Sequence, residues 1–186
     1  QPLPHSSDKH LLASIPFNRK IELRNVSYHY DVDRYSPTYV LSNINLTISK
    51  GDCIGFVGET GSGKSTLLDI LMMLIHPTNG EIVVDDKLIS VKDADKWQEN
   101  IAHVSQDIHL SDSTIEENIA FGVNKEDINF QLVEKVAKQA HIDSTVKKLE
   151  NGYQTVVGER GVRLSGGQKQ RIGIARALYK KAKILV

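Results

Sequence analysis

One short segment constrains this chain more than any other. Gly58-Glu59-Thr60-Gly61-Ser62-Gly63-Lys64-Ser65 fits the pattern G-x-x-x-x-G-K-[ST]. Before it, Cys53-Ile54-Gly55-Phe56-Val57 is short and continuously apolar, the signature of a strand buried on both faces of a parallel sheet. After it, Leu67, Leu68, Leu71, Met72 and Ile75 recur at helical spacing until Pro77-Thr78-Asn79-Gly80 ends the helix. Strand, glycine loop and helix in that order predict an α/β core that holds phosphate. Glycines let successive backbone N–H groups turn inward where a Cβ would clash. The positive end of the helix dipole points at the same place. Lys64 can reach the β- and γ-phosphates, the Ser65 hydroxyl can ligate magnesium, and Thr66 adds a hydroxyl near the α- or β-phosphate. A dinucleotide loop of the form G-x-G-x-x-G is excluded, because Thr66 stands where its third glycine belongs.

Composition narrows the partners. The 186 residues suit one domain, or one and a half, able to bury a core without staples. Lys and Arg number 23 and Asp and Glu 23, so no dominant polyanion-binding surface is expected, and nucleic acid is not an expected partner. A single cysteine, Cys53, excludes an internal disulfide, and its apolar setting predicts a buried core residue. The longest apolar stretch, residues 67–75, is interrupted by Asp69 and is far short of the ~20 residues that cross a bilayer.

Residues 1–20 hold three of the five prolines and no sustained periodicity, which predicts an extended linker or tail. Ile21, Leu23, Val26, Tyr28 and Tyr30 predict a first strand with an irregularity near Asn25. A loop over 31–39, a strand over 40–48, strands over 81–84 and 87–89 around Asp85-Asp86, a short helix over 93–100 and a strand over 101–104 follow. Trp97 reads as core. Ser113 and Glu116 have capping-box spacing, and Ile128, Leu132, Val133, Val136, Ala137 and Ala140 line one face of an amphipathic helix. A return to apolar sequence at Ile184-Leu185-Val186 implies that this helical block is inserted into the α/β core.

The phosphate loop alone leaves kinases, GTPases and motor-type ATPases open. Leu164-Ser165-Gly166-Gly167-Gln168 narrows the choice. Ser165 is a natural N-cap, and Gly166 and Gly167 leave bare N–H groups ahead of a helix bearing Ile172, Ile174, Ala175 and Leu178, a second anion site of the helix-terminus kind. With Gly158-Glu159-Arg160-Gly161 before it and Gln106 at the end of a strand, the chain resembles the nucleotide-binding domain of an exporter-type ABC transporter from about residue 21 to residue 186. The resemblance implies a P-loop NTPase core with a parallel sheet, an N-terminal antiparallel β-subdomain and a helical subdomain over about 108–178. It also implies ATP and Mg2+ as ligands, with Lys64 and Gln106 as catalytic residues and Ser65 and Gln106 near the metal.

Further implications follow from the same resemblance. Residues Gly58, Glu59, Thr60, Gly61, Ser62, Gly63, Lys64, Ser65 and Thr66 hold the nucleotide phosphates. An aromatic residue stacks on adenine: Tyr30 matches the family position, with Tyr35 and Tyr39 as alternatives. Ser165, Gly166, Gly167 and Gln168 cover the γ-phosphate held by a second copy in a head-to-tail homodimer. Glu159 lies near the interface with a transmembrane domain, which is expected N-terminal to residues 1–20 of the same polypeptide, at the cytoplasmic face of a membrane. The cargo subgroup the motifs resemble most is a flippase of lipid-linked saccharides. The family's magnesium-binding aspartate, general-base glutamate and switch histidine have no counterpart before Val186, so the sequence predicts a fragment that binds ATP better than it turns it over. A soluble ATPase of the same superfamily, acting in DNA repair or translation, is the alternative reading. The neutral charge and the short helical block oppose it.

Overall fold

Side chains alternate across a strand, so Ile21 and Leu23 enter one face together, but Val26 can join them only if a residue is inserted between. Asn25 is that residue. Its φ is 51°, and four residues of the first strand, Leu23 to Val26, oppose three of the second, Leu46 to Ile44. The sequence irregularity near Asn25 is therefore a β-bulge, and it keeps all three apolar side chains buried.

A computed structural model describes residues 15–30, 39–159 and 161–186. The chain divides into two compact units, Gln1–Ile101 and Ala102–Val186. In the first, β1 (Lys20–His29) lies between β2 (Tyr39–Ser49) and β3 (Asn79–Val84), and β4 (Lys87–Leu88) extends the sheet, giving the antiparallel order β2-β1-β3-β4. The hairpin between β3 and β4 turns at Asp85 and Asp86, both at positive φ. Helix α1 (Lys64–Leu71) packs its Leu67, Ile70 and Leu71 inward, and α2 (Ala94–Gln98) buries Trp97 completely.

One expectation fails in this unit. Residues 53–57 form no strand, Cys53 is exposed, and Val57 is 98% exposed. A strand buried on both faces needs a neighbour on each side. Among the described residues no strand pairs with this run, so its apolar side chains lack a sheet to enter. The end of the expected linker packs onto this unit. Residues 1–14 lie outside the described residues, but Ile15 and Phe17 are buried and Lys20 already belongs to β1. Asp85 accepts the backbone N–H groups of Asn18, Arg19 and Lys20, Asn100 Nδ2 donates to the Ile15 carbonyl, and Phe17 meets the Trp97 ring edge-on at 6.3 Å. Aromatic and aliphatic burial outweighs the extended tendency of the Pro-rich stretch.

The second unit opens at its boundary with β5 (Ile101–Ala102) and closes with β8 (Ile184–Leu185), which pair with each other. Val186 donates to the Ala102 carbonyl and accepts from Val104 N–H, the slanted pattern of parallel strands. Between them lie β6 (Ser113–Thr114), α3 (Ile115–Ile119), α4 (Phe130–Gln139), α5 (Asp143–Val146), β7 (Val156–Val157) and α6 (Gly166–Tyr179). β6 and β7 pair antiparallel. That pairing uses Ser113 as a strand residue, so the helix starts one residue later than the sequence implied. The capping box is Thr114 with Glu117, not Ser113 with Glu116. Ile115, Ile119, Val133, Val136, Val146 and Ile172 form the core of this unit, where Ala137 and Ala175 let the helices approach closely.

Candidate phosphate-binding site

The loop 58–63 is shaped by its own lysine. Lys64 Nζ donates to the carbonyls of Gly58 at 2.8 Å and Glu59 at 2.6 Å and to Ser62 Oγ at 3.4 Å, so the three ammonium donors draw the loop into a ring. Ser62 N–H closes a turn onto the Glu59 carbonyl. Gly63 caps α1 in the left-handed region, φ 87°, and a Cβ there would stand 2.8 Å from Leu41 Cδ2. Only glycine combines that dihedral with that approach to β2.

No side chain caps α1 and its first turn carries no acid. The N–H groups of Lys64, Ser65 and Thr66 therefore have no acceptor among the described residues, and nothing neutralises the positive end of the helix. Such a helix start, with a lysine ammonium at its rim, has the chemistry to hold an anion. Ser65 is exposed and its hydroxyl has no hydrogen bond among the described residues. No group of three or more His, Cys, Asp or Glu could hold a metal ion among the described residues. A hard cation here would take its oxygens from Ser65, water and a bound polyphosphate, which is the coordination magnesium accepts.

Tyr30 stands at the end of β1, half exposed, with its hydroxyl 3.3 Å from Thr66 Oγ1 and its ring edge-on to Tyr28 at 5.0 Å. The fold thus joins Tyr30 to the phosphate loop through Thr66. Tyr39, at the start of β2, is also exposed and is edge-on to His29 at 5.4 Å. Tyr35 lies outside the described residues.

The other sequence candidates belong to the second unit. Ser165 Oγ accepts the Gln168 N–H at 3.3 Å and Gln168 Oε1 accepts the Ser165 N–H at 2.8 Å, a reciprocal capping box. With both side chains so engaged, the exposed Gly166 and Gly167 are left to present bare N–H groups. Gln106 is exposed on a bend after β5. Glu159 lines a cleft of about 510 Å³ together with His109, Leu110, Arg163, Leu164 and Lys169. Arg160 lies outside the described residues.

Sequence reading missed several groups that hold these parts. Leu41 walls the loop behind Gly63, and Trp97 Nε1 donates to the Leu71 carbonyl at the end of α1 at 2.8 Å. Asn118, fully buried, and Arg176 tie α3, α6 and the stretch 109–114 together. The one available signal was polarity: a buried asparagine must be hydrogen-bonded on every side.

Comparison with known proteins shows the family of the chain. Residues 41–186 match the family model described as ABC transporter. The chain is 43% identical over 168 residues to an uncharacterized ABC transporter ATP-binding protein, YfiB, of Bacillus subtilis (strain 168), covering 90% of this chain and 28% of that protein. It is 40% identical over 167 residues to an ATP-dependent lipid A-core flippase of Chromohalobacter salexigens, covering 90% of this chain and 28% of that one. To the alpha-hemolysin translocation ATP-binding protein HlyB of Escherichia coli O157:H7 it is 38% identical over 185 residues, 100% of this chain and 25% of that protein. Among solved structures, a bacterial Atm1-family ABC exporter with ATP bound superposes with TM-score 0.81 at 34% identity, over 96% of this chain and 30% of that one. The chain thus spans between a quarter and a third of the length of these proteins.

Proposed function

The chain belongs to the ABC transporter family, and from that premise we propose that it is an exporter's ATP-binding domain that grips ATP phosphates on the loop 58–66. The observation that carries this reading is the ring Lys64 makes over Gly58 and Glu59, ahead of a helix whose first N–H groups are bare. Lys64 and the α1 amides bind the β- and γ-phosphates, and Tyr30 supplies an aromatic face for the base. Magnesium, when bound, would neutralise phosphate charge, with Ser65 as the residue of this unit that would hold it. Titration of labelled ATP tests the proposal: Lys64→Ala should weaken binding by at least about tenfold, and equal affinity in variant and parent would refute it.

The family's architecture supports further parts of the reading. Gly166 and Gly167 would face the γ-phosphate of a second copy, making a head-to-tail homodimer. A transmembrane domain of the same polypeptide would lie N-terminal, with this domain at the cytoplasmic face of the membrane. Among the described residues no helix is long and apolar enough to cross a membrane. For the cargo we propose a lipid-linked saccharide, supported by the likeness to a lipid A-core flippase.

A further inference from the structure

Arg176 is a half-buried cation without a counter-ion among the described residues. Burial lowers its pKa and nothing nearby opposes that effect. A charge removed from water in this way persists only where fixed dipoles replace the water. Here they do. Its Nε donates to the Asn118 carbonyl at 2.9 Å, Nη2 to Asn118 Oδ1 at 3.2 Å, and Nη1 and Nη2 both to the His109 carbonyl at 3.3 Å. The guanidinium also lies over the Phe121 ring, 4.7 Å from its centroid. Lysine cannot reproduce this fork, because its ammonium is a point charge.

The partners of this fork are themselves fixed. Asn118 is fully buried, and its amide bonds Ser111, Ser113 and Thr114. One turn before Arg176, on the same face of α6, Gly173 lets the helix touch Ile108: a Cβ at Gly173 would stand 2.5 Å from Ile108 Cδ1. Helix α6 therefore grips residues 108 and 109, two and three positions after Gln106. The same helix begins with the bare amides of Gly166 and Gly167, about 15 Å away along a continuous hydrogen-bonded rod.

We propose that Arg176 is a positioning residue, which fixes the segment carrying Gln106 to the helix carrying Gly166 and Gly167 so that both move as one body. The assignment rests on the reading above that Gln106 and the α6 N-terminus attend the nucleotide. Its consequence is regulatory: phosphate contact at either element is felt at the other through the Arg176 fork.

Amide hydrogen exchange on this chain tests the assignment, with labelled ATP titrated in parallel. Arg176→Ala should speed exchange over residues 106–110 by about tenfold or more while the α4 amides and the ATP affinity stay unchanged. Millimolar guanidinium chloride should restore protection in that variant, and equimolar sodium chloride should not. Arg176→Lys, which keeps the charge and the aliphatic stem, should show the same local loss if the alanine variant fails to fold. Unchanged exchange over 106–110 in Arg176→Lys, uniform acceleration across the whole unit, or rescue by sodium chloride would each overturn the proposal. Absence of ATP binding by the parent chain would overturn the underlying reading instead, and only the titration reports that.

Discussion

The Tyr30 hydroxyl lies 3.3 Å from Thr66 Oγ1, so the aromatic residue at the end of β1 is bonded to the third residue of the phosphate-loop helix. One strand end and one helix start, 36 residues apart in sequence, are held as a unit. The ring remains half exposed, braced edge-on by Tyr28. A base stacked on it would sit beside phosphates held by Lys64.

Tyr30 substitutions separate ring from hydroxyl. Tyr30→Phe should keep ATP affinity within about threefold, since a phenyl face stacks as well. Tyr30→Ala should lose about 1–3 kcal/mol of binding. Tyr39→Ala should leave affinity unchanged. Titration of labelled ATP into the three variants checks this, and a loss confined to Tyr39→Ala would move the base to β2.

Gly63 is predicted to tolerate no side chain. Its φ of 87° alone makes alanine cost about 1–3 kcal/mol, and the Cβ would collide with Leu41. Urea denaturation should show that loss, and ATP binding should fall with it because the loop is displaced.

Ser165→Ala should cost about 1 kcal/mol of stability through the lost cap, without changing ATP affinity at the Lys64 loop of the monomer. Ser165→Asn should recover most of it, because asparagine caps as well as serine. Thermal unfolding and titration of the two variants check both statements.

Acid should loosen the second unit through Asp143. Burial alone would raise its carboxyl, but the Tyr153 hydroxyl at 2.7 Å and the Lys147 ammonium at 3.1 Å outweigh that and hold it below the usual carboxylate range. A folded-state pKa below the unfolded value of about 3.9 gives stability that is present above that pH and is lost as pH falls through the folded pKa. Asp143→Asn should flatten that part of the acid limb of a stability–pH curve. Tyr153→Phe should cost about 1–3 kcal/mol near neutral pH, measured by urea denaturation.

Most of this was legible in sequence where the signal is local. The strands that became β1 to β4, the bulge near Asn25, the helix after Gly63 and the Ser165 cap all follow from dihedral preference, periodicity or capping chemistry within a few residues. What was illegible depends on distant partners. Residues 53–57 carry the pattern of a buried strand, yet burial is a property of neighbouring strands, and none pairs with them among the described residues. Ile15 and Phe17 sit in a Pro-rich stretch, and only Trp97, Asn100 and Asp85, more than 65 residues on, make them core. The Thr114 cap was misplaced by one residue because the β6–β7 pairing that claims Ser113 is non-local. The Arg176 fork joins backbone carbonyls, which no sequence pattern announces.

The most direct test of the account is amide NMR of this chain during titration with magnesium ATP. The largest shift changes should fall on Gly61, Gly63, Lys64, Ser65 and Thr66, saturate together, and vanish in Lys64→Ala. Saturable ATP binding that leaves those amides unmoved, or persists unchanged in Lys64→Ala, would contradict it.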